Sequence, residues 1–92
     1  MGIVRPSELP PLPEAPGVYL WKQGEEVLYV GKAKNLRSRV SSYFGERRDR
    51  AHRTRVMVKH AIRLEYTLVE TETDALLLEN ALIKQHQPRY NV

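Results

Sequence analysis

Two tyrosines ten residues apart, Tyr19 and Tyr29, lie in the run GVYLWKQGEEVLYVGK, and Lys32, Arg39, Tyr43 and a distant Glu79 follow them. Phenols, a guanidinium and a carboxylate together suit chemistry on a phosphodiester. A planar guanidinium grips two phosphate oxygens at once. A carboxylate can anchor a hydrated divalent cation whose other ligands are water and phosphate, and a phenol can orient or deprotonate an attacking water. Each residue alone has a plainer reading. A cross-strand tyrosine pair is commonly packing, and a helical arginine commonly wets its own surface. A glutamate in an apolar stripe can be satisfied by a buried arginine. Only their joint occurrence favours chemistry.

Other chemistries lack their residues. There is no cysteine, so thiol nucleophiles, disulfides and thiolate zinc sites are excluded. No glycine-rich phosphate loop, serine elbow, HExxH or carboxylate cluster occurs. No stretch approaches the roughly 18 apolar residues of a membrane span, and Pro6 stands where a myristoylation signal following Gly2 needs Ser or Thr. A cytoplasmic protein without membrane attachment is the expectation.

The net charge of +4 conceals an asymmetry. Residues 32–63 hold eleven Lys/Arg against two acids, a local balance of +9, whereas the remainder holds four basic and nine acidic residues. Such a block suits a polyanion, usually nucleic acid, with Lys34, Arg37, Arg47, Arg48, Arg50, Arg53 and Arg55 as candidate phosphate contacts. A solvated charged face is the plainer alternative.

The elements that must position these side chains follow from pattern. Residues 1–16 contain five of the six prolines, so an extended lead-in is expected there, with Leu9 and Leu12 against the core. The apolar, aromatic runs 17–23 and 26–31 flank Gly24 as a β-hairpin. A turn with an odd number of loop residues would set Tyr19 directly across from Tyr29, with open space over Gly31. A two-residue turn would send the phenols to opposite faces. Asn35 caps a short helix through Leu36, Val40, Tyr43 and Phe44, stopping at Gly45. A second helix is expected around 51–62 with Val56 and Ile62 inward, and a third strand at 64–70. Thr71 and Asp74 open a last helix over 73–86 that Pro88 closes. On that helix Ala75, Leu76, Leu78, Leu82, Ile83 and His86 share one arc, with Glu79 near its middle, where an unpaired carboxylate is costly. The order β-β-α-α-β-α predicts a single α+β domain, a small three-stranded antiparallel sheet flanked by helices.

PGVYLW with VLYVGKAKNLRSRVSSYF, and later ETDALLLENALIKQHQPRYNV, resembles the GIY-YIG nuclease superfamily. The likeness is to its UvrC-like branch, the N-terminal domain of the incision subunit of bacterial nucleotide excision repair. Both short motifs carry Val where the family name has Ile. The resemblance runs from about Leu9 onward and divides the chain into a lead-in, 1–16, and an endonuclease domain, 17–92, of a longer protein. It implies that Tyr19, Tyr29, Lys32, Arg39, Tyr43 and Asn91 are catalytic and that Glu79 holds one Mg²⁺ or Mn²⁺. It further implies a monomeric domain that cuts damaged double-stranded DNA on the 3′ side of a lesion and reaches UvrB through regions outside this chain. Lys32 would favour phenolate, and either Tyr19 or Tyr29 could be the base. A nucleic-acid-binding module that kept the fold without catalysis is the alternative.

Overall fold

Val, Leu, Tyr and Trp in alternation make β1 (Gly17–Gln23) and β2 (Glu26–Ala33), joined by a two-residue turn at Gly24 and Glu25. Gly24 has φ +62°, the conformation that a tight hairpin turn demands of its first central residue. The computed structural model describes residues 11–44 and 52–91. Within them the order is β1, β2, α1 (Leu36–Ser41), a 3₁₀ turn (Ser42–Phe44), α2 (His52–His60), β3 (Arg63–Leu68) and α3 (Glu72–His86). The strands form one antiparallel sheet in the order β2-β1-β3, so the expected α+β architecture holds.

The hairpin corrects the expected register. Near the turn Gln23 pairs with Glu26 and Lys22 with Val27, which, continued, would put Tyr19 across from Val30 and part the two phenols. A bulge intervenes between Trp21 and Lys22, leaving Leu28 as an extra residue on β2. Beyond it Trp21 pairs with Tyr29 and Tyr19 with Gly31. The phenols therefore share a face as diagonal neighbours rather than as a direct pair. The turn was misjudged, and the bulge compensates for it.

The sheet separates two half-cores. Tyr19, Trp21 and Leu28 pack with Leu12, Leu36, Val40, Met57, Ala61 and Leu64 on one side. Val18, Leu20, Val27 and Val30 pack with Ala75, Leu78, Leu82 and Ile83 of α3 on the other. Asn35 caps α1 by accepting from the Ser38 N–H at 3.0 Å, and Thr71 caps α3 by accepting from Asp74 N–H at 3.1 Å. In α2 the inward residue is Met57, followed by Ala61 just beyond the helix. Ile62 is exposed, because α2 stops at His60. On α3 the apolar arc is narrower than its pattern, since Leu76 and His86 are also exposed.

Two flanking segments complete the frame. The lead-in lays Leu12 into the core, and its Ala15 and Pro16 carbonyls accept from Leu36 N–H (3.0 Å) and Val69 N–H (3.1 Å). After α3, which ends in the left-handed Gln87 before Pro88, the chain runs beside β2, where Tyr90 N–H donates to Leu28 O at 3.1 Å. Leu9, Gly45 and the charged stretch 46–51 lie outside the described residues.

Candidate active site

The phenols sit where the bulge directs them. Tyr19 is buried on the central strand, and its ring crosses Gly31 on β2. A Cβ built on Gly31 would overlap the Tyr19 Cζ and Oη, so the space expected over this glycine is filled by the ring. Gly17 is equally constrained, because a Cβ there would strike Leu36 and the Thr67 carbonyl. The two glycines of the G-V-Y and Y-V-G motifs thus let α1 and the Tyr19 ring approach the sheet closely.

Tyr43 enters from the 3₁₀ turn after α1. Its hydroxyl lies 2.7 Å from that of Tyr19, and their rings meet edge to face with centroids 5.9 Å apart. Tyr29 lies at the β2 edge, half-buried, its ring centroid 6.3 Å from that of Tyr19. Trp21 braces the group, with centroids 5.3 Å from Tyr43 and 6.0 Å from Phe44. Its buried indole N–H has no hydrogen-bond partner among the described residues. Sequence reading passed over Trp21 and Phe44 as bracing residues, although their aromatic types were the available signal.

The electrostatics separate the two phenols. Burial pushes Tyr19 far above the ordinary tyrosine range, and the neighbouring Tyr43 adds to the effect. Burial raises Tyr29 as well, followed by Tyr43 and by the Glu79 carboxylate, while Arg39 pulls it back down. Arg39, exposed at the last turn of α1, also acts on Tyr19 in the lowering sense. Arg39 and Glu79 thus both act on Tyr29, although they come from two different helices.

Glu79 is half-buried on α3 and forms no ion pair among the described residues, so the buried-arginine alternative finds no partner there. No group of three His, Asp or Glu side chains is assembled among the described residues. This donor set fits one hydrated cation held by a single carboxylate, with water and phosphate as its other ligands.

Lys32 is placed differently from expectation. It lies inside β2, paired with Val18, and so projects to the α3 side of the sheet rather than beside Tyr29. It is not among the groups acting on either phenol, so the expected Lys32 support for phenolate is replaced by that of Arg39. Lys32, Lys34 and Arg39 instead line an open cleft of about 650 Å³ between α1 and the start of α3, which the sequence did not signal.

Asn91 grips the backbone of β2. Its Oδ1 accepts from Val30 N–H at 2.7 Å and its Nδ2 donates to Val30 O at 2.8 Å, one residue from Tyr29. Of the candidate phosphate contacts, Lys34 is exposed and pairs with Glu72 at 3.8 Å. Arg37 turns inward to the lead-in, donating from Nε to Leu12 O at 2.8 Å and pairing with Glu14 at 3.3 Å. Arg55 is exposed on α2. Arg47, Arg48, Arg50 and the Arg53 side chain lie outside the described residues.

The arrangement matches known proteins. The model of the UvrC-like GIY-YIG domain matches residues 15–92. UvrABC system protein C of Thermus thermophilus is 55% identical over 89 residues, covering 97% of this chain and 14% of that protein. The corresponding protein of Porphyromonas gingivalis is 57% identical over 86 residues, covering 91% of this chain and 14% of its own length. This chain thus spans about one seventh of these relatives. The GIY-YIG N-terminal endonuclease domain of UvrC from Thermotoga maritima, solved bound to its catalytic divalent cation, magnesium, superposes with a TM-score of 0.80. It is 38% identical, and the match covers 88% of each chain. With the paired phenols, the two close-packed glycines and Glu79 in one frame, the chain belongs to the UvrC-like GIY-YIG domain family.

Proposed function

We propose that this chain is a DNA endonuclease domain that hydrolyses a phosphodiester on the 3′ side of a lesion in bacterial nucleotide excision repair. The observation that carries the reading is the cluster of Tyr19, Tyr29 and Tyr43 on one face of the sheet, with Arg39 and Glu79 both acting on Tyr29. Glu79 holds one Mg²⁺ or Mn²⁺, and the Thermotoga maritima domain has magnesium as its catalytic cation. A cation held by Glu79 would supply positive charge to the phosphate and the leaving 3′-oxygen, and would offset the Glu79 field at Tyr29.

Arg39 grips the phosphate and stabilises the charge that builds on its oxygens in the transition state. Tyr29, as its phenolate, is the base that takes the proton of the attacking water, because it is less buried than Tyr19 and is acted on by both Arg39, which favours the ionised form, and Glu79. Tyr19 stays protonated and fixes Tyr43 through their shared hydrogen bond. Asn91 holds the strand that carries Tyr29. The substrate is damaged duplex DNA, met as a monomeric domain in the cytoplasm, and UvrB is engaged through parts of the longer protein outside this chain.

Arg39→Ala and Glu79→Gln test this in the intact repair assembly, with 3′ incision and magnesium binding as the readouts. The expectation is loss of incision by about 10²-fold or more for each. Glu79→Gln should also lose the cation while its melting temperature stays close to that of the parent. Undiminished incision in either variant would sink the assignment, and unfolding of Glu79→Gln would point to a structural carboxylate.

A further inference from the structure

The open cleft between α1 and the start of α3 is not part of the phenol cluster. Its volume, about 650 Å³, is ample for a phosphate with its sugar, and its walls include Lys32, Lys34 and Arg39 against a single acid, Glu72. Ser38 and Thr73 add hydroxyls. Arg39 also acts on Tyr29 and Tyr19, so one guanidinium borders both the cleft and the proposed cleavage site. Lys32 reaches the cleft because β2 pairing turns it to the α3 side, away from the phenols.

Three cations converging on a cavity that holds one carboxylate describe a site for an anion. Lys34 and Glu72 are 3.8 Å apart with both side chains largely exposed, a loose pair that an incoming anion can displace. We propose that this cleft is a second phosphate subsite, which receives the DNA phosphodiester neighbouring the scissile one, with the Lys34–Glu72 pair opening as it enters. Lys34 is its principal cation, Arg39 closes it on the side of the phenols, Lys32 adds its charge from β2, and Glu72 opposes binding. This rests on the DNA reading above and adds where the flanking strand lies and which acid restrains it.

The test is an amide NMR titration of this chain with single-stranded octathymidylate at low salt in the presence of EDTA. The amides of Lys34, Ser38 and Thr73 should shift together. Lys34→Gln should weaken the midpoint about three- to tenfold and reduce the salt slope by about one. Glu72→Gln should tighten binding. Lys84→Gln, well along the exposed part of α3, should change neither. Unperturbed cleft amides, or Lys84→Gln weakening as much as Lys34→Gln, would overturn the proposal. The titration needs neither metal nor cleavage, so undiminished incision in Glu79→Gln, which would sink the incision reading, would leave the subsite standing. An unperturbed cleft would equally leave the incision reading standing.

Discussion

Tyr19 and Tyr29 have the same side chain in different surroundings, and the difference divides their proposed roles. Tyr19 is 2% exposed, hydrogen-bonded to Tyr43 and strongly held in its neutral form. Tyr29 is half-buried at the sheet edge, where Arg39 opposes the effects of burial and Glu79. Removing each hydroxyl should therefore have unequal effects. Tyr29→Phe should lower kcat for incision by about 10²-fold or more, the range of a lost general base. Tyr19→Phe should cost under about tenfold, because it removes one hydrogen bond that only steadies Tyr43. Single-turnover incision rates for the two variants decide this, and a larger loss in Tyr19→Phe would reverse the roles. Glu79 was legible in the sequence because its type conflicts with the arc around it. Lys32 was not, because its face depends on strand pairing rather than on nearness in the chain.

At the scale of elements, the bulge at Leu28 decides whether the two phenols meet. Both caps, Asn35 and Thr71, were readable because their side chains bond only three residues along the chain. The register of the hairpin was not readable, since Gly24 marks a turn without counting its residues. A bulge, moreover, belongs to two strands at once. The ends of α2 and the width of the α3 arc were misjudged for a related reason. Ile62 and Leu76 fit a helical period but stand exposed, Ile62 because α2 ends at His60. The segment after α3 supports the bulged strand, with Tyr90 bonding at Leu28 and Asn91 at Val30. Asn91→Ala strips both partners from Val30, so it should lower stability by about 1–3 kcal/mol. For a domain of this size that is a drop of roughly 4–24 °C in Tm. Thermal melts of the variant check the first effect. A fall in incision beyond what the lost folded fraction explains would show that Tyr29 has also moved.

Across the whole molecule, a thin sheet keeps two small half-cores apart, and much of the one that holds Tyr19 and Trp21 is aromatic. A chain this short buries only about 60–65% of the surface its unfolded form exposes, so buried phenols weigh heavily in its stability. Tyr19 and Tyr29 both have raised folded-state pKa values, whereas unfolded tyrosines ionise near pH 10. Their contribution is therefore intact below about pH 10 and is lost as pH climbs above that value, since the unfolded chain then releases protons that the folded one retains. Melting temperature should fall steeply above pH 10 for the parent and less steeply for Tyr19→Phe. Parallel melts of the two proteins between pH 8 and 11 would measure the difference.

The docking of Tyr90 and Asn91 also bears on how copies of the domain treat one another. A bare sheet margin offers unpaired N–H and C=O groups to any extended chain, which is how strand addition and aggregation begin. β2 is such a margin in this sheet, and it carries Tyr29. With Leu28 and Val30 already bonded by the chain's own following segment, a foreign strand has no continuous ladder to join. Two residues seal the margin that carries Tyr29, and its side chain stays half-exposed.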